Sequence, residues 1–216
     1  METALSANAI LTPPEPPAPP PWPDELERGG FTRAAAPEDF DRVCRAAADL
    51  ESGTIRALLF TGRAGCGKTL AATIIARRVF FQTDIALGCV PDTAHLKPFV
   101  LRGYQVPQLE DDDMRRQTCF RTARCGDIVL DDIGTESPAL VYGTPTDLIP
   151  EFLASYCDRD YTSRRAIVPR VIVTTNLDGN GIRARYGERI LSRLLETFAW
   201  LPFKGGDKRE KKAMVY

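Results

Sequence analysis

Gly62-Arg63-Ala64-Gly65-Cys66-Gly67-Lys68-Thr69 satisfies the pattern G-x-x-x-x-G-K-[ST] at every fixed position. It follows the apolar run Ala57-Leu58-Leu59-Phe60 and opens a helical pattern over Leu70 to Phe81. A strand, a glycine-rich turn and a helix in that order turn backbone N–H groups and a positive helix end toward one point, which is what a phosphate chain requires. In that pattern Lys68 reaches the β- and γ-phosphates, the Thr69 hydroxyl ligates Mg²⁺, and Gly62, Arg63, Ala64, Gly65, Cys66 and Gly67 supply the cradle. Taken alone, the loop says that the chain binds a triphosphate.

Length and composition narrow the setting. A chain of 216 residues holds one full α/β domain with little left over. The formal net charge is −1, so no global field draws the protein toward nucleic acid, and local patches must be judged separately. No run of about 18 apolar residues is present, so no membrane span is expected. Met1 to Leu11 lacks the basic start and long apolar core of a secretory signal. The cysteines (Cys44, Cys66, Cys89, Cys119, Cys125, Cys157) form no C-x-x-C pair, and His95 is the only histidine, which argues against zinc. Cysteines scattered among core-like residues suit a reducing cytoplasm. Cys66, inside the loop, is either oxidation-sensitive or simply a residue that its position tolerates.

Residues 1–36 are expected to form a proline-rich disordered arm, on the strength of the cluster Pro13 to Pro23. Such an arm is either a docking tether or a leader without a partner. Pro37 to Leu50 reads as a helix with Phe40, Val43, Cys44, Ala47 and Leu50 on one face. Ile55 to Thr61 is the first core strand, buried on both faces. Phe99 to Gly103 is the favoured second strand over Ile85–Val90. Glu110-Asp111-Asp112-Asp113 opens a helix that runs to Arg124.

Asp127-Ile128-Val129-Leu130-Asp131-Asp132 is the second chemical landmark, an apolar strand that ends in two carboxylates. Beside a phosphate-loop strand, Asp131 would hold Mg²⁺ directly or through water, and Asp132 would polarise the attacking water. Ile133 to Glu136 follows as a turn. Pro145 to Tyr156 is an amphipathic helix, and Arg170 to Thr175 a buried β-branched strand that ends at Asn176. Ligands of open α/β sheets bind at the carboxyl ends of central strands, so Asn176 orients the attacking water, or reads the γ-phosphate, or merely forms a turn. Arg183, Arg185, Arg189 and Arg193 crowd the next segment. Gly187 to Leu195 reads as helix, with Arg189 and Arg193 on one side, either facing a neighbouring subunit's nucleotide or forming a solvated basic face. Trp200 to Phe203 reads as the last strand.

Together, GRAGCGKT (62–69), DIVLDDIGTE (127–136), VIVTTNL (171–177), RYGERILSRLLE (185–196) and FKGGDKR (203–209) resemble the AAA+ ATPases of the DnaC-like helicase loader and IstB-like transposition-helper group. The resemblance covers residues 37–210, with 211–216 as a tail. It implies a P-loop α/β three-layer sandwich whose five parallel strands run 5-1-4-3-2, with no C-terminal helical lid. It implies Walker A at Lys68 and Thr69, Walker B at Asp131 and Asp132, sensor 1 at Asn176, an arginine finger at Arg193 and a sensor-2 role for Arg209. ATP and Mg²⁺ would be the cofactors. The partners would be further copies of the chain, a replicative helicase or transposase, and single-stranded DNA. Arg115, Arg116, Arg121, Arg124, Arg164, Arg165, Arg183 and Arg185 are the local basic groups that either meet DNA phosphates or lie dispersed on the surface. Many AAA+ proteins carry Glu where this chain has Asp132. The alternative expectation is therefore a nucleotide-gated interaction module with negligible hydrolysis.

Overall fold

The computed structural model describes residues 20–86, 100–102, 127–136, 139–141, 144–162 and 170–207. In chain order the elements are α1 (Trp22–Arg28), α2 (Phe40–Ser52), β1 (Ala57–Thr61), α3 (Lys68–Ala86), β2 (Val100–Arg102), β3 (Ile128–Ile133), β4 (Ala139–Val141), β5 (Thr144–Thr146), α4 (Leu148–Thr162), β6 (Val171–Thr175), α5 (Gly179–Tyr186), α6 (Glu188–Thr197) and β7 (Ala199–Pro202). The fold is α/β with a parallel sheet, ordered β2-β3-β6-β1-β7. β1 lies inside the sheet, in register with β6 (Leu59↔Val173) on one side and with β7 (Leu59↔Trp200) on the other. β4 and β5 form a separate antiparallel ribbon.

The continuous apolar runs of β1 and β6 are buried throughout, because helices cover both faces of the sheet. The two-residue period of a strand sends alternate side chains to opposite sides. Leu58, Phe60, Val129 and Ile172 pack with α1, α2 and α3. Ala57, Leu59, Ile128, Leu130, Val171 and Val173 pack with α4, α5 and α6. Parallel neighbours need long crossovers, so the carboxyl ends of β1, β3 and β6 gather at one edge.

The chain departs from the expected arm before residue 36. Pro21 and Pro23 sit where the first turn of a helix tolerates proline, Asp24 and Glu25 suit its positive end, and α1 follows. Trp22, Leu26, Phe31 and Ala36 are buried in the core against α2 and α3. The Trp22 indole donates to Glu51 Oε2 at 2.8 Å, and the Arg78 guanidinium lies 4.3 Å from the centre of its ring. The folded unit thus takes in residues assigned to the arm, whose own proline cluster begins outside the described residues. A second departure is Pro145, which lies in β5 opposite Leu140 rather than in a helix. Proline pushes the residue before it out of the helical region, so α4 begins after the ribbon. The acidic run at 110–113, the helix expected through Arg124, and Arg115, Arg116, Arg121, Arg164, Arg165 and Arg209 lie outside the described residues.

After β7 the chain stays on the sheet edge. Phe203 N–H donates to Thr61 O at 2.7 Å. Asp39, fully buried before α2, accepts from the backbone N–H of Lys204 at 3.1 Å and of Gly205 at 3.2 Å. No helix among the described residues is long and apolar enough to cross a membrane.

If α1 is part of the core, Trp22→Ala should destabilise the fold by about 3–5 kcal/mol. Trp22→Phe should lose clearly less. Urea unfolding measures both, and an Ala variant as stable as the parent would return α1 to the arm.

Candidate functional site

Local sequence puts the glycine loop between the end of β1 and the start of α3. Gly62, Gly65 and Gly67 all take positive φ. Gly65, at φ +74°, would strain a side chain, and a Cβ there would also lie 1.7 Å from Asp207 Oδ1. A Cβ on Gly62 would lie 2.8 Å from Phe203 O, so the segment after β7 passes directly over the loop.

Lys68 turns back into this loop and is buried. Its ammonium donates to Gly62 O at 2.8 Å, to Arg63 O at 2.9 Å and to Asn176 Oδ1 at 2.9 Å, and Cys66 Sγ lies 3.6 Å away. All of these acceptors are neutral, and Lys68 forms no ion pair among the described residues. Buried charge without a counterion is costly, and it makes the place attractive to an anion.

Two hydroxyl–carboxylate contacts tie β3 to its neighbours. Thr69 Oγ1 donates to Asp131 Oδ1 at 2.8 Å, and Thr174 Oγ1 donates to the same oxygen at 2.7 Å. Thr174 Oγ1 also accepts from the Asp132 backbone N–H at 2.9 Å. Opposite Thr174, β3 carries one residue more than β6: Leu130 pairs with Val173, but Ile133 with Thr175. The surplus is taken up at Asp131-Asp132, and Asp132 has φ +57°. A bulge of this kind re-aims side chains, and left-handed backbone at a non-glycine residue stores strain. Asp132 is thereby aimed at Asn176, whose Nδ2 donates to Asp132 Oδ1 at 2.7 Å. The Asn176 amide bridges Lys68 and Asp132, and these two partners assign its orientation.

These groups line a cleft of about 650 Å³ that holds Ala64, Gly65, Gly67, Lys68, Thr69, Asp131, Asp132, Thr174 and Asn176. Its other wall is Gly29, Gly30, Ala35, Ile74 and Arg77. Residues assigned to a disordered arm therefore complete the cleft. Thr174 and this wall were missed from the sequence. Thr174 had a visible signal, a hydroxyl one residue before the end of a strand that neighbours the aspartates.

Of the candidate residues, Lys68, Thr69, Asp131, Asp132 and Asn176 come together, and Arg193 does not line the cleft. Arg193, on α6, pairs with Asp158 of α4. Arg183 pairs with Glu188. Arg185 is engaged inside the chain, with Asp147 at 2.5 Å and with the buried Glu136 at 3.4 Å, so it is not the surface cation suggested for DNA phosphates. Glu136 also accepts from Gly134 N–H at 2.7 Å and from the Tyr186 hydroxyl. Burial, then the hydrogen bond to Glu136, pushes the Tyr186 hydroxyl above its ordinary range. Burial works against the Arg185 charge, but the Asp147 carboxylate outweighs it and raises the guanidinium. Among Arg183, Arg185, Arg189 and Arg193, only Arg189 has no ion pair among the described residues.

No protein-family model and no curated protein matches the chain. Among solved structures it is similar to the crystal structure of the DnaC helicase loader, with 17% identity, a TM-score of 0.48, and 77% of this chain and 91% of that chain covered. It is also similar to NtrX from Brucella abortus in complex with ATP, with 16% identity, a TM-score of 0.44, and 76% of this chain but 37% of that chain covered.

The bulge makes a testable claim about Asp132. Asp132→Val places a β-branched side chain at positive φ and should lower stability by about 1–3 kcal/mol. Asp132→Asn, which tolerates this backbone, should stay within about 1 kcal/mol of the parent. Thermal unfolding compares them, and equal melting of the two variants would remove the strain from the account.

Proposed function

We propose that the cleft binds ATP with Mg²⁺ and hydrolyses it, and that the chain is an AAA+ protein which assists helicase loading or transposition. The observation that carries the nucleotide reading is Lys68: a buried ammonium held by neutral oxygens, with no ion pair among the described residues, at the floor of a cleft large enough for a nucleotide. The triphosphate supplies the missing negative charge, with the loop N–H groups around it. Gly29, Gly30, Ala35 and Ile74 present a mostly apolar wall suited to a base.

Thr69 Oγ1 and Asp131 Oδ1 are adjacent hard oxygens, and the donor set fits Mg²⁺, which takes one or two protein ligands beside phosphate oxygens and water. The ion would neutralise charge on the phosphates. Asp132 accepts a proton from the attacking water or orients it, and the Asn176 amide holds that carboxylate in line with Lys68. Arg193 would act on the nucleotide of a neighbouring copy. The DNA, helicase or transposase partner rests on the motif series at 62–69, 127–136, 171–177 and 185–196. Residues 1–36 as a unit apart from the core are not part of this proposal, since α1 packs on that core.

A second reading, a nucleotide-gated module with negligible turnover, is favoured by Arg193 and Asp158 forming a pair within one chain. Tight ATP binding without phosphate release, with single-stranded DNA present, would select it.

Lys68→Ala should weaken ATP binding about tenfold to a hundredfold, the usual range for hydrogen bonds to a charged group, and should abolish hydrolysis. Full hydrolysis by this variant would sink the assignment. For Arg193, mixtures of Lys68→Ala and Arg193→Ala chains should recover hydrolysis that neither has alone. An arginine acting in trans contributes about 10³–10⁵ in rate, so one intact interface is visible above background. Assembled mixtures without recovery would exclude the trans role.

A further inference from the structure

The turn from Asp132 to Glu136 is closed by a buried carboxylate that no step of the proposed chemistry uses. Glu136 is 7% exposed, and both of its carboxylate oxygens are engaged. Oε2 accepts from the Gly134 backbone N–H at 2.7 Å. Oε1 accepts from the Tyr186 hydroxyl and from the Arg185 guanidinium at 3.4 Å, and Arg185 also donates to Glu136 O at 3.1 Å. Burial, then the Glu136 carboxylate, disfavours ionisation of Tyr186, so its hydroxyl stays a donor. The turn also bonds to itself, since Thr135 Oγ1 donates to Asp132 O at 2.8 Å. Gly134 has φ +98°, and a Cβ on it would lie 2.7 Å from Leu177 Cδ1, so this backbone runs close against the segment after β6. Glu136 and Tyr186 do not line the cleft.

Resting on the reading of Asp132 as the carboxylate that serves the attacking water, we propose that Glu136 is a positioning residue for hydrolysis. Through Gly134 it holds the strained Asp132 backbone, and through Tyr186 and Arg185 it anchors that turn to α5. Left-handed backbone at a non-glycine residue persists where its surroundings over-determine it. Thr174 holds the Asp132 N–H, Thr135 holds its carbonyl, and Thr175 holds the carbonyl of Ile133. Glu136 ties these local bonds to a helix. Without that tie the Asp132 φ of +57° can relax, and the carboxylate leaves its place beside Asn176. A misplacement of about 1 Å caused by a change away from the chemistry costs about a hundredfold in rate. Lys68, Thr69 and the glycine loop are carried by other elements, so nucleotide binding does not depend on this turn. Turnover and affinity therefore separate.

The test uses the full chain and its Glu136→Ala, Glu136→Gln and Tyr186→Phe variants, with Mg-ATP as the probe. Calorimetry gives ATP affinity, phosphate release at saturating ATP with single-stranded DNA gives turnover, and NMR without nucleotide gives Gly134 amide exchange. Glu136→Ala should lower turnover about thirtyfold to a hundredfold while ATP affinity stays within about threefold of the parent. Its Gly134 amide should exchange about tenfold to a hundredfold faster, the range for a hydrogen bond to a charged group. Glu136→Gln keeps an oxygen for Gly134 and an amide for the Tyr186 oxygen, so both quantities should return to within about tenfold of the parent. Tyr186→Phe keeps the packing and loses one bond to Oε1, and should lower turnover about threefold to tenfold at unchanged ATP affinity. If Glu136→Ala does not fold, Tyr186→Phe decides by the same split. Parent-like turnover in the folded variants, with faster Gly134 exchange, would overturn the proposal and leave Glu136 a structural role. ATP affinity that falls in step with turnover would overturn it in favour of support for the whole cleft. Unchanged Gly134 exchange would remove the clamp itself. A parent that binds ATP without hydrolysing it removes the hydrolytic reading and this proposal together, whereas a hydrolysing parent leaves only Glu136 to be decided.

Discussion

The Lys68 ammonium enters the interior at the point where β1 ends and α3 begins, and the surrounding structure holds it on neutral oxygens, with no ion pair among the described residues. Two of its acceptors are carbonyls of its own loop, so the loop must curl, and its positive-φ glycines permit that. The third is Asn176, which a strand adjacent to β1 delivers. β6 is that strand, paired through Thr61↔Thr175 with Asn176 next in the chain. The parallel register of two central strands is therefore what completes the solvation of one buried cation. A carboxylate in place of Asn176 would neutralise the charge and with it the attraction for an anion.

The same register sets the aspartates. Thr174, one residue short of the end of β6, gives its proton to Asp131 and takes one from the Asp132 backbone. That double use is possible only because β3 bulges there. In an unbulged strand successive side chains would point to opposite faces. The extra residue lets Asp131 reach Thr69 while Asp132 reaches Asn176. The strained φ of Asp132 is thus the local cost of aiming two consecutive carboxylates into one cleft.

What the sequence made legible follows from how local each signal is. The α/β class, β1, β3 and β6 could be read because strands buried on both faces need continuous apolar runs, and nothing distant alters that need. Lys68, Thr69, Asp131, Asp132 and Asn176 could be named because each lies at the end of such a strand or in the loop itself. The bulge could not be seen, since it is a relation between two strands more than forty residues apart in sequence. Trp22 was hidden by its prolines: composition speaks for an extended chain, whereas Pro21 and Pro23 take places that a helix start accepts. Asp39 and Lys204 are 165 positions apart, and no periodicity in either segment announces their contact.

The arginines show why magnitudes, and not spacing alone, decide which group is available to a neighbour. Arg185 is bound to a half-buried Asp147 and to the fully enclosed Glu136. Withdrawing it would leave a carboxylate uncompensated in the interior, at a cost of about 3–5 kcal/mol. Arg193 is held by Asp158, whose side chain is 52% exposed. An ion pair at such a surface contributes no more than about 1 kcal/mol, because water solvates the carboxylate once the arginine leaves. An arginine that stabilises a transferring phosphoryl group gains about 4–7 kcal/mol, the equivalent of its rate contribution. That gain exceeds the cost of releasing Arg193 several times over, but only matches or slightly exceeds the cost of releasing Arg185. In the sequence, spacing set Arg193 beside Arg189 on one helix side, and Arg185 stood among the local basic groups. Burial of their partners separates them: Arg193 can be released from Asp158 at little cost, while Arg185 stays fixed to the turn after Asp132.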